Sequence, residues 1–450
     1  MKLASIVLAA GRGTRMKSSL PKVLHQVCGR PMIHYAINAA KMSGAEKTVL
    51  VVGHGAEEVQ NYLGERVIYA LQQEQLGTGH AVQSALPAIS EDYDTILVTY
   101  GDMPLLTEGT LQKLLQTQAK NSGPLSMVTM ISEDPKGFGR IMRGMDGSVV
   151  AIVEEVECTP EQLSIQELNV GAYCFDAKWL WQALKRLPLS PKGEYYLTDV
   201  IGIAVQDGLR VDALTVTDNQ EALGINTRVH LAEAESVMRQ RILENLMLEG
   251  VTVIDPASTY VESSVRIGMD TILQPNTFLR GDTVIGENCV IGPNTIITDC
   301  QVGNRCVILA AVMDKAIVED GVDMGPFARL RKGAHLGPGV HMGNFGEVKD
   351  SYLGAGTKMG HFSYIGNATI GKDVNIGAGT ITCNYDGEKK HPTVIGDRVF
   401  IGSDTMLVAP LTIEEDAKTG AGAVVTHNVA AGEVVVGVPA KPIRKSKASE

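Results

Sequence analysis

Residues 278–303 read FLRGDTVIGENCVIGPNTIITDCQVG, and within them Leu279, Ile285, Ile291 and Ile297 stand six residues apart. Six is neither the period of a helix nor the simple alternation of a strand. The same interval returns at Leu353, Met359 and Ile365, at Ile370 and Ile376, and at Ile395, Ile401 and Leu407. Gly often follows the aliphatic residue, as in the Ile-Gly pairs that begin at 267, 285, 291, 365, 370, 376, 395 and 401. A hexapeptide repeat of this kind predicts a three-sided prism. Each face takes a short strand, the aliphatic side chain points inside, and Gly or Asn turns the corner, where crowding and φ > 0 favour them. Three hexads complete one coil of a parallel β-helix that runs from about Val251 onward.

Such coils resemble the left-handed hexapeptide solenoid, an exception to the right-handed crossover preference. N-terminal to the repeats, residues 228–249 (RVHLAEAESVMRQRILENLMLE) read as one long amphipathic helix. Leu231, Met238, Ile242 and Leu246 fall on one side, and Gly250 supplies the stop. Its place makes it a linker, residues 228–250, between a domain at 1–227 and a second at 251–450. In the first domain LASIVLA (3–9) is a continuous apolar run, as in a strand buried on both faces of a parallel sheet. Similar runs at 48–52 and 95–99 alternate with helical segments such as 31–42, which opens on Pro31. The pattern predicts an α/β doubly wound, Rossmann-like sheet. Ligands of such sheets bind beyond the carboxyl ends of the strands, which directs attention to Ala10–Arg15 and to Tyr100-Gly101-Asp102.

Length agrees with two domains, since 450 residues exceed one ordinary core. Gly at 48 residues and aromatics at 5% suggest tight turns and small side chains. A net charge of −11 argues against a general nucleic-acid binder, which needs a basic face. The seven cysteines are scattered, with no CxxC pair or metal spacing, and read as reduced thiols of a cytoplasmic protein. LASIVLAAG mimics a short signal peptide, but GRGTRMK follows at once, too charged for a cleavage region. No apolar stretch is long enough to span a membrane.

LAAGRGTRM (8–16) follows the first strand. Its glycines let backbone N–H groups approach phosphate oxygens, and Arg12 and Arg15 add positive charge. Met16 replaces the third Gly of GxGxxG, against a dehydrogenase-type dinucleotide fold, and no GK[ST] follows for a P-loop ATPase. A strand-to-helix turn without ligand is the bland alternative. The run continues to Pro21-Lys22 and then resembles the signature of sugar-1-phosphate nucleotidyltransferases. QQEQLGTGHA (72–81), YGDMP (100–104), GFGRI (137–141), IVEE (152–155), ELNVG (167–171), GEYYLTD (193–199) and GINTR (224–228) follow. Their order and spacing resemble, over nearly the whole chain, one bacterial family. It is the family of bifunctional N-acetylglucosamine-1-phosphate uridylyltransferases/glucosamine-1-phosphate N-acetyltransferases. One small departure is Phe138, where the family pattern has a Tyr.

Uridylyl transfer asks for positioning and charge neutralisation rather than a covalent intermediate, because a phosphate oxygen displaces pyrophosphate in line. A lone Asp after a strand is often structural; the resemblance implies that Asp102 and Asn226 bind Mg²⁺, a hard ion that takes oxygen donors. It implies that Arg15 and Lys22 act on the triphosphate. Uridine-binding positions map onto Leu8, Ala9, Ala10, Gly11, Lys22, Gln72, Gly77 and Thr78. Gly139, Glu154 and Asn169 match positions that hold the sugar phosphate, and Tyr100 and Gly101 line the same cleft.

A hexapeptide solenoid can be only an oligomerisation scaffold. Here, however, FARLRKG (327–333), GNFGEVK (343–349), GHFSYIGN (360–367) and NIGAGTITCNYDG (375–387) interrupt the regular array. The last feeds a charged loop, GEKKHPT (387–393), and loops expelled from a solenoid commonly form its binding face. These segments resemble the acetyltransferase half of the family, in which an amine attacks the thioester of acetyl-CoA. His361 matches the general base, a task for which imidazole is suited. Arg331 and Lys349 match a sugar-phosphate clamp, and Tyr364 and Asn375 match contacts to the sugar. Ala378, Asn384, Tyr385, Ser403 and Ala421 match acetyl-CoA positions. Some members carry an Arg where Gly437 stands here; Lys441 and Arg444 are candidates for that charge. Exposed small apolar residues on flat faces suggest pairing, and the resemblance implies a homotrimer with acetyl-CoA between neighbouring β-helices.

The function so expected is acetylation of glucosamine 1-phosphate, then transfer of UMP from UTP to the product, releasing pyrophosphate. A single-activity pyrophosphorylase with a regulatory β-helix is the first rival, opposed by His361, Arg331 and Asn384-Tyr385. A regulatory subunit with dead sites is the second, opposed by Lys22, Asp102 and Asn226.

Overall fold

A computed structural model describes residues 2–445 apart from 90, 91, 134 and 136; the side chain of Arg444 lies outside what is described. The chain forms two compact units, Met1–Met238 and Arg239–Glu450.

In the first unit a mixed sheet runs in the order Val211–Val216, Leu125–Ile131, Glu167–Asp176, Thr95–Tyr100, Leu3–Ala9, Lys47–Val52, Ile68–Leu71. Leu3–Ala9 is buried at every residue, as its unbroken apolar run requires of a strand between two parallel neighbours with both faces covered. The sheet is not wholly parallel. Glu167–Asp176 runs antiparallel to both Thr95–Tyr100 and Leu125–Ile131, and the hairpin Arg140–Arg143/Val149–Val153 branches from it. Register sets Leu8 opposite Tyr100, and Gly101 N–H donates to the Leu8 carbonyl at 2.9 Å, so both loops noted above leave one end of the sheet side by side.

The second unit is a prism of three parallel strand stacks, beginning at Thr252–Val253, Tyr260–Val261 and Arg266–Ile267. All twelve aliphatic residues named for the six-residue period lie inside, none more than 3% exposed. Leu353 is one of them, wholly buried. Leu353→Ala is therefore expected to destabilise the β-helix by about 2–5 kcal/mol, seen as an earlier midpoint in chemical denaturation.

The glycines of the Ile-Gly pairs need a different explanation from the one their position suggests. Apart from Gly292, with φ 99, they lack the positive φ, which falls on residues such as Asn276, Asn288, Asn294 and Asp404 (φ between 54 and 58). A Cβ on Gly286 would lie 2.7 Å from the Gly303 carbonyl carbon, and one on Gly371 would lie 2.7 Å from that of Gly396. In six of the eight pairs glycine follows the isoleucine because the next coil's backbone occupies the space of a side chain; a Cβ on Gly292 would instead meet Thr277 and Gln274, and one on Gly366 the side chains of Tyr364 and Asn384.

The helix Arg228–Leu248 spans the sequence predicted for it. Its apolar stripe is not continuous: Leu231 and Met238 are only half-buried, and Ala234, Leu243 and Leu246 are the buried positions. Leu243 and Leu246 belong to the β-helix core, whereas Ala234 lies in the first unit, so no single stripe has to run the helix's length. Among the described residues no helix is long and apolar enough to cross a membrane.

One coil is longer than the rest. Asn375 pairs with Phe400, 25 residues on, whereas the coils before it repeat at 16 to 18 residues. The surplus is the loop that follows Asn384. At the far end, Glu433–Val436 and Lys441–Lys445 form an antiparallel hairpin. Gly437 in its turn has φ 95, a conformation that strains an Arg and suits Gly.

Candidate active sites

In the first unit the strand ends open on a cleft of about 700 Å³, within the range of small-molecule sites. Leu8, Ala9, Ala10, Gly11, Arg15, Lys22, Gln72, Gly77, Thr78, Tyr100, Asp102 and Asn226 all line it. Arg15 Nη2 donates to Asn226 Oδ1 at 2.9 Å and Lys22 Nζ to the same oxygen at 3.0 Å; Lys22 also pairs with the Asp102 carboxylate. Ile225 N–H donates to the Asp102 carbonyl at 2.9 Å, which ties the two oxygen-bearing side chains to one place.

Two cations thus converge on two oxygen donors. A carboxylate and a carboxamide oxygen are the ligand types a hard divalent ion takes. Among the described residues no group of three or more His, Cys, Asp or Glu is placed to hold a metal ion. The donor set therefore fits an ion that keeps water and substrate phosphate in its shell, not one caged by protein alone.

Gln72 is buried, its Nε2 donating to the Gly77 carbonyl at 3.0 Å and lying 3.2 Å from His80 Nδ1. Gly77 has φ 96, and a Cβ there would sit 2.6 Å from the Tyr195 carbonyl oxygen. Gly79 N–H donates to that oxygen at 2.8 Å, and Thr78 Oγ1 accepts from Leu197 N–H at 2.9 Å. The GEYYLTD segment is thereby docked on the glycine loop, which brings Glu194 and Tyr196 into the cleft wall. Neither was expected there, nor was Gln75, whose Oε1 accepts from Arg12 Nε at 3.1 Å. Their motifs stood out in the sequence, but only the docking shows which residues face inward.

Gly139, Glu154 and Asn169 do not line this cleft; they gather beside it, around Tyr100. Asn169 N–H donates to the Gly139 carbonyl at 2.9 Å, and its side chain exchanges hydrogen bonds with the Tyr173 hydroxyl at 2.8 and 3.0 Å. Burial pushes the Glu154 carboxyl pKa up, helped by Glu157 and Asp199 and opposed by Lys192. Burial raises the Tyr100 phenol too, with Asp102 and Glu154 adding to it.

In the second unit Arg331, Lys349, Tyr364 and Asn384 occupy successive coils along one face, as the pairings Leu330↔Val348, Lys349↔Gly366 and Tyr364↔Ile381 require. Arg331 Nη1 donates to Glu347 Oε1 at 2.9 Å, which holds the guanidinium in place. The Lys349 ammonium is pushed below its ordinary pKa by Lys390, by exposure loss and by Arg331, while Asp350, 3.8 Å away, opposes this. Three cations, Arg331, Lys349 and Lys390, thus gather with two carboxylates, Glu347 and Asp350. Lys390 and Glu347 were not singled out from the sequence; Lys390 reaches the cluster because the expelled loop folds back, with Tyr385 bridged to Lys390. Asp386 organises that turn, accepting from the backbone N–H of Glu388 and Lys389 at 2.8 Å each and lying 2.6 Å from His391 Nε2. Tyr385 is exposed on the same loop, its hydroxyl donating to the Gly387 carbonyl at 2.6 Å.

The remaining residues meet at a corner. Gly379 N–H donates to the Phe362 carbonyl, Asp404 N–H to Ala378 and Gly422 N–H to Ser403, at 2.7, 2.6 and 2.8 Å. His361, Ala378, Ser403 and Ala421 are thus neighbours on successive coils, with exposed His361 at the foot of a ladder of small residues. Asn375 stands on the adjoining face, paired with Lys358 and Phe400 rather than with the Arg331 set. Lys441 is exposed near the C-terminal hairpin.

Residues 5–171 match the model of the MobA-like NTP transferase domain, and residues 282–313 and 392–427 match that of the hexapeptide repeat of succinyl-transferase. The repeats and the three parallel stacks together give the left-handed parallel β-helix. The chain is 49% identical to the bifunctional protein GlmU of Heliobacterium modesticaldum over 97% of its own length and 95% of that protein's. It is 44% identical to the proteins of that name from Shouchella clausii, covering 94% of each chain, and from Streptococcus agalactiae, covering 96% and 95%. Two-domain architecture, both sets of polar groups and end-to-end similarity agree: the chain belongs to the bifunctional GlmU family of N-acetylglucosamine-1-phosphate uridylyltransferases/glucosamine-1-phosphate N-acetyltransferases.

Proposed function

We propose that the two activities are divided between the two polar clusters, acetyl transfer at 251–450 and uridylyl transfer at 1–227, with 228–250 as the connecting helix. The observation that carries this is their separation: each lies wholly inside its own compact unit.

In the β-helix, Arg331, Lys349 and Lys390 hold the phosphate of glucosamine 1-phosphate, and Tyr364 and Asn375 contact the sugar. His361 takes a proton from the amine as nitrogen bonds to the thioester carbonyl carbon. The carbon–sulfur bond then breaks, and coenzyme A leaves with its thiol reprotonated. Ala378, Asn384, Tyr385, Ser403 and Ala421 seat acetyl-CoA. In the N-terminal unit, Gly139, Glu154 and Asn169 hold the N-acetylglucosamine 1-phosphate so formed, and Leu8–Gly11, Gln72, Gly77 and Thr78 hold the uridine of UTP. The sugar-phosphate oxygen bonds to the α-phosphorus as the bond to the pyrophosphate oxygen breaks. Arg15 and Lys22 stabilise the charge that develops there. Asp102 and Asn226 would hold Mg²⁺, which neutralises phosphate charge when bound.

The ladder of small residues at the His361 corner carries no bulky side chain to enclose the coenzyme, which supports a homotrimer closed by neighbouring β-helices. The product, UDP-N-acetylglucosamine, would supply bacterial cell-wall and, where present, lipopolysaccharide synthesis in the cytoplasm. Two assays on one preparation test the division. Coenzyme A release from acetyl-CoA and glucosamine 1-phosphate is expected to survive EDTA; pyrophosphate release from UTP and N-acetylglucosamine 1-phosphate is expected to stop and to return with Mg²⁺. Loss of both on chelation, or absence of either activity, would overturn it.

A further inference from the structure

The coil that carries the expelled loop is held shut by a residue with no role so far. Asn384, where the loop leaves, is buried, and its Nδ2 donates to Asn367 Oδ1 at 2.7 Å. Thr393, where the chain rejoins the coil, donates its N–H to the Asn367 carbonyl at 3.1 Å. Both stems of the loop therefore rest on Asn367, one on its side chain and one on its backbone. Asn367 has φ 51, a conformation Asn accepts more readily than most side chains, so the same choice of residue shapes the corner and supplies the acceptor.

We propose that Asn367 is a positioning residue for acetyl transfer, fixing the Asn384 carboxamide and the loop that carries Tyr385 and Lys390. A carboxamide has one donor end and one acceptor end. With the amide nitrogen of Asn384 committed to Asn367, its oxygen is the end presented for a substrate donor. The space is tight on the other side as well. A Cβ on Gly366 would lie 2.9 Å from Asn384 Nδ2 and 2.5 Å from the Tyr364 hydroxyl oxygen, so Tyr364 and Asn384 converge over this glycine. Rotation of the Asn384 amide would lose its buried bond and misplace a group beside the reacting amine. The inference rests on the assignment of acetyl transfer to this face.

The test is kinetic and uses the full chain. Asn367→Gly keeps the left-handed backbone and the carbonyl that holds Thr393 while removing only the acceptor; Asn367→Asp keeps the acceptor. The Gly variant is expected to lose on the order of 10–100-fold in kcat/KM for acetyl-CoA, and the Asp variant to stay within about threefold of the parent. If Asn367 acts through Asn384, Asn367→Gly combined with Asn384→Ala is no slower than Asn384→Ala alone. Multiplying losses, an Asp variant as impaired as the Gly variant, or a Gly variant at the parent rate would each overturn the proposal. A parent protein without acetyl transfer would overturn the assignment beneath it instead, and the clamp with it.

Discussion

His361→Ala is expected to lower acetyl transfer by on the order of 10²–10⁴-fold, the range for a lost general base, while pyrophosphate release stays at the parent rate. An ammonium has no lone pair with which to attack a thioester, so the reaction waits on removal of a proton at the point of attack. The proposed general base, His361, is exposed at the foot of the Ala378–Ser403–Ala421 ladder, three residues before Tyr364. The loss should appear in kcat with little change in KM for glucosamine 1-phosphate, because the proposed phosphate clamp of Arg331 and Lys349 is independent of the imidazole. Equal losses in both activities would point to damage to the fold. An unchanged acetyl-transfer rate would remove His361 from the chemistry.

Asp102→Ala gives the mirror result. Asp102 carries the one carboxylate among the groups that meet Lys22 and Arg15 at Asn226. Its removal leaves two cations on a single carboxamide oxygen and takes the anionic ligand from the proposed Mg²⁺ position. A bound divalent ion stabilises several kcal/mol of developing charge, and each ~1.4 kcal/mol is tenfold in rate. Pyrophosphate release is therefore expected to fall by on the order of 10²–10³-fold, partly recovered at high Mg²⁺, while coenzyme A release is unchanged. Absence of any Mg²⁺ dependence in the residual rate would argue that Asp102 serves Lys22 rather than an ion.

The aliphatic residues six apart named the β-helix interior without error, because one inward side chain per face per coil is a rule of local geometry. The glycines beside them were legible in position but not in cause, since for most of them the crowding arises from the next coil, 16 to 25 residues along the chain. The same limit explains the sheet. Leu3–Ala9 announced a buried strand, whereas the reversed direction of Glu167–Asp176 depends on neighbours that an apolar run does not identify. At the sites, the motifs led to the cleft and to the Arg331 face. Glu194, Tyr196 and Lys390 stayed hidden because each is delivered by a segment folding back on another, and Glu347 because its partnership with Arg331 crosses from one coil to the next. Asn375, grouped with Tyr364 by resemblance, lies on the adjoining face of the coil.

Mixing the two variants tests the central claim most directly. Supplied with glucosamine 1-phosphate, acetyl-CoA, UTP and Mg²⁺, neither His361→Ala nor Asp102→Ala alone should form UDP-N-acetylglucosamine at more than a small fraction of the parent rate. Their mixture should restore its formation, because each contributes one intact site and the acetylated sugar phosphate diffuses between them. A mixture as inactive as its components would contradict two separate sites in this chain.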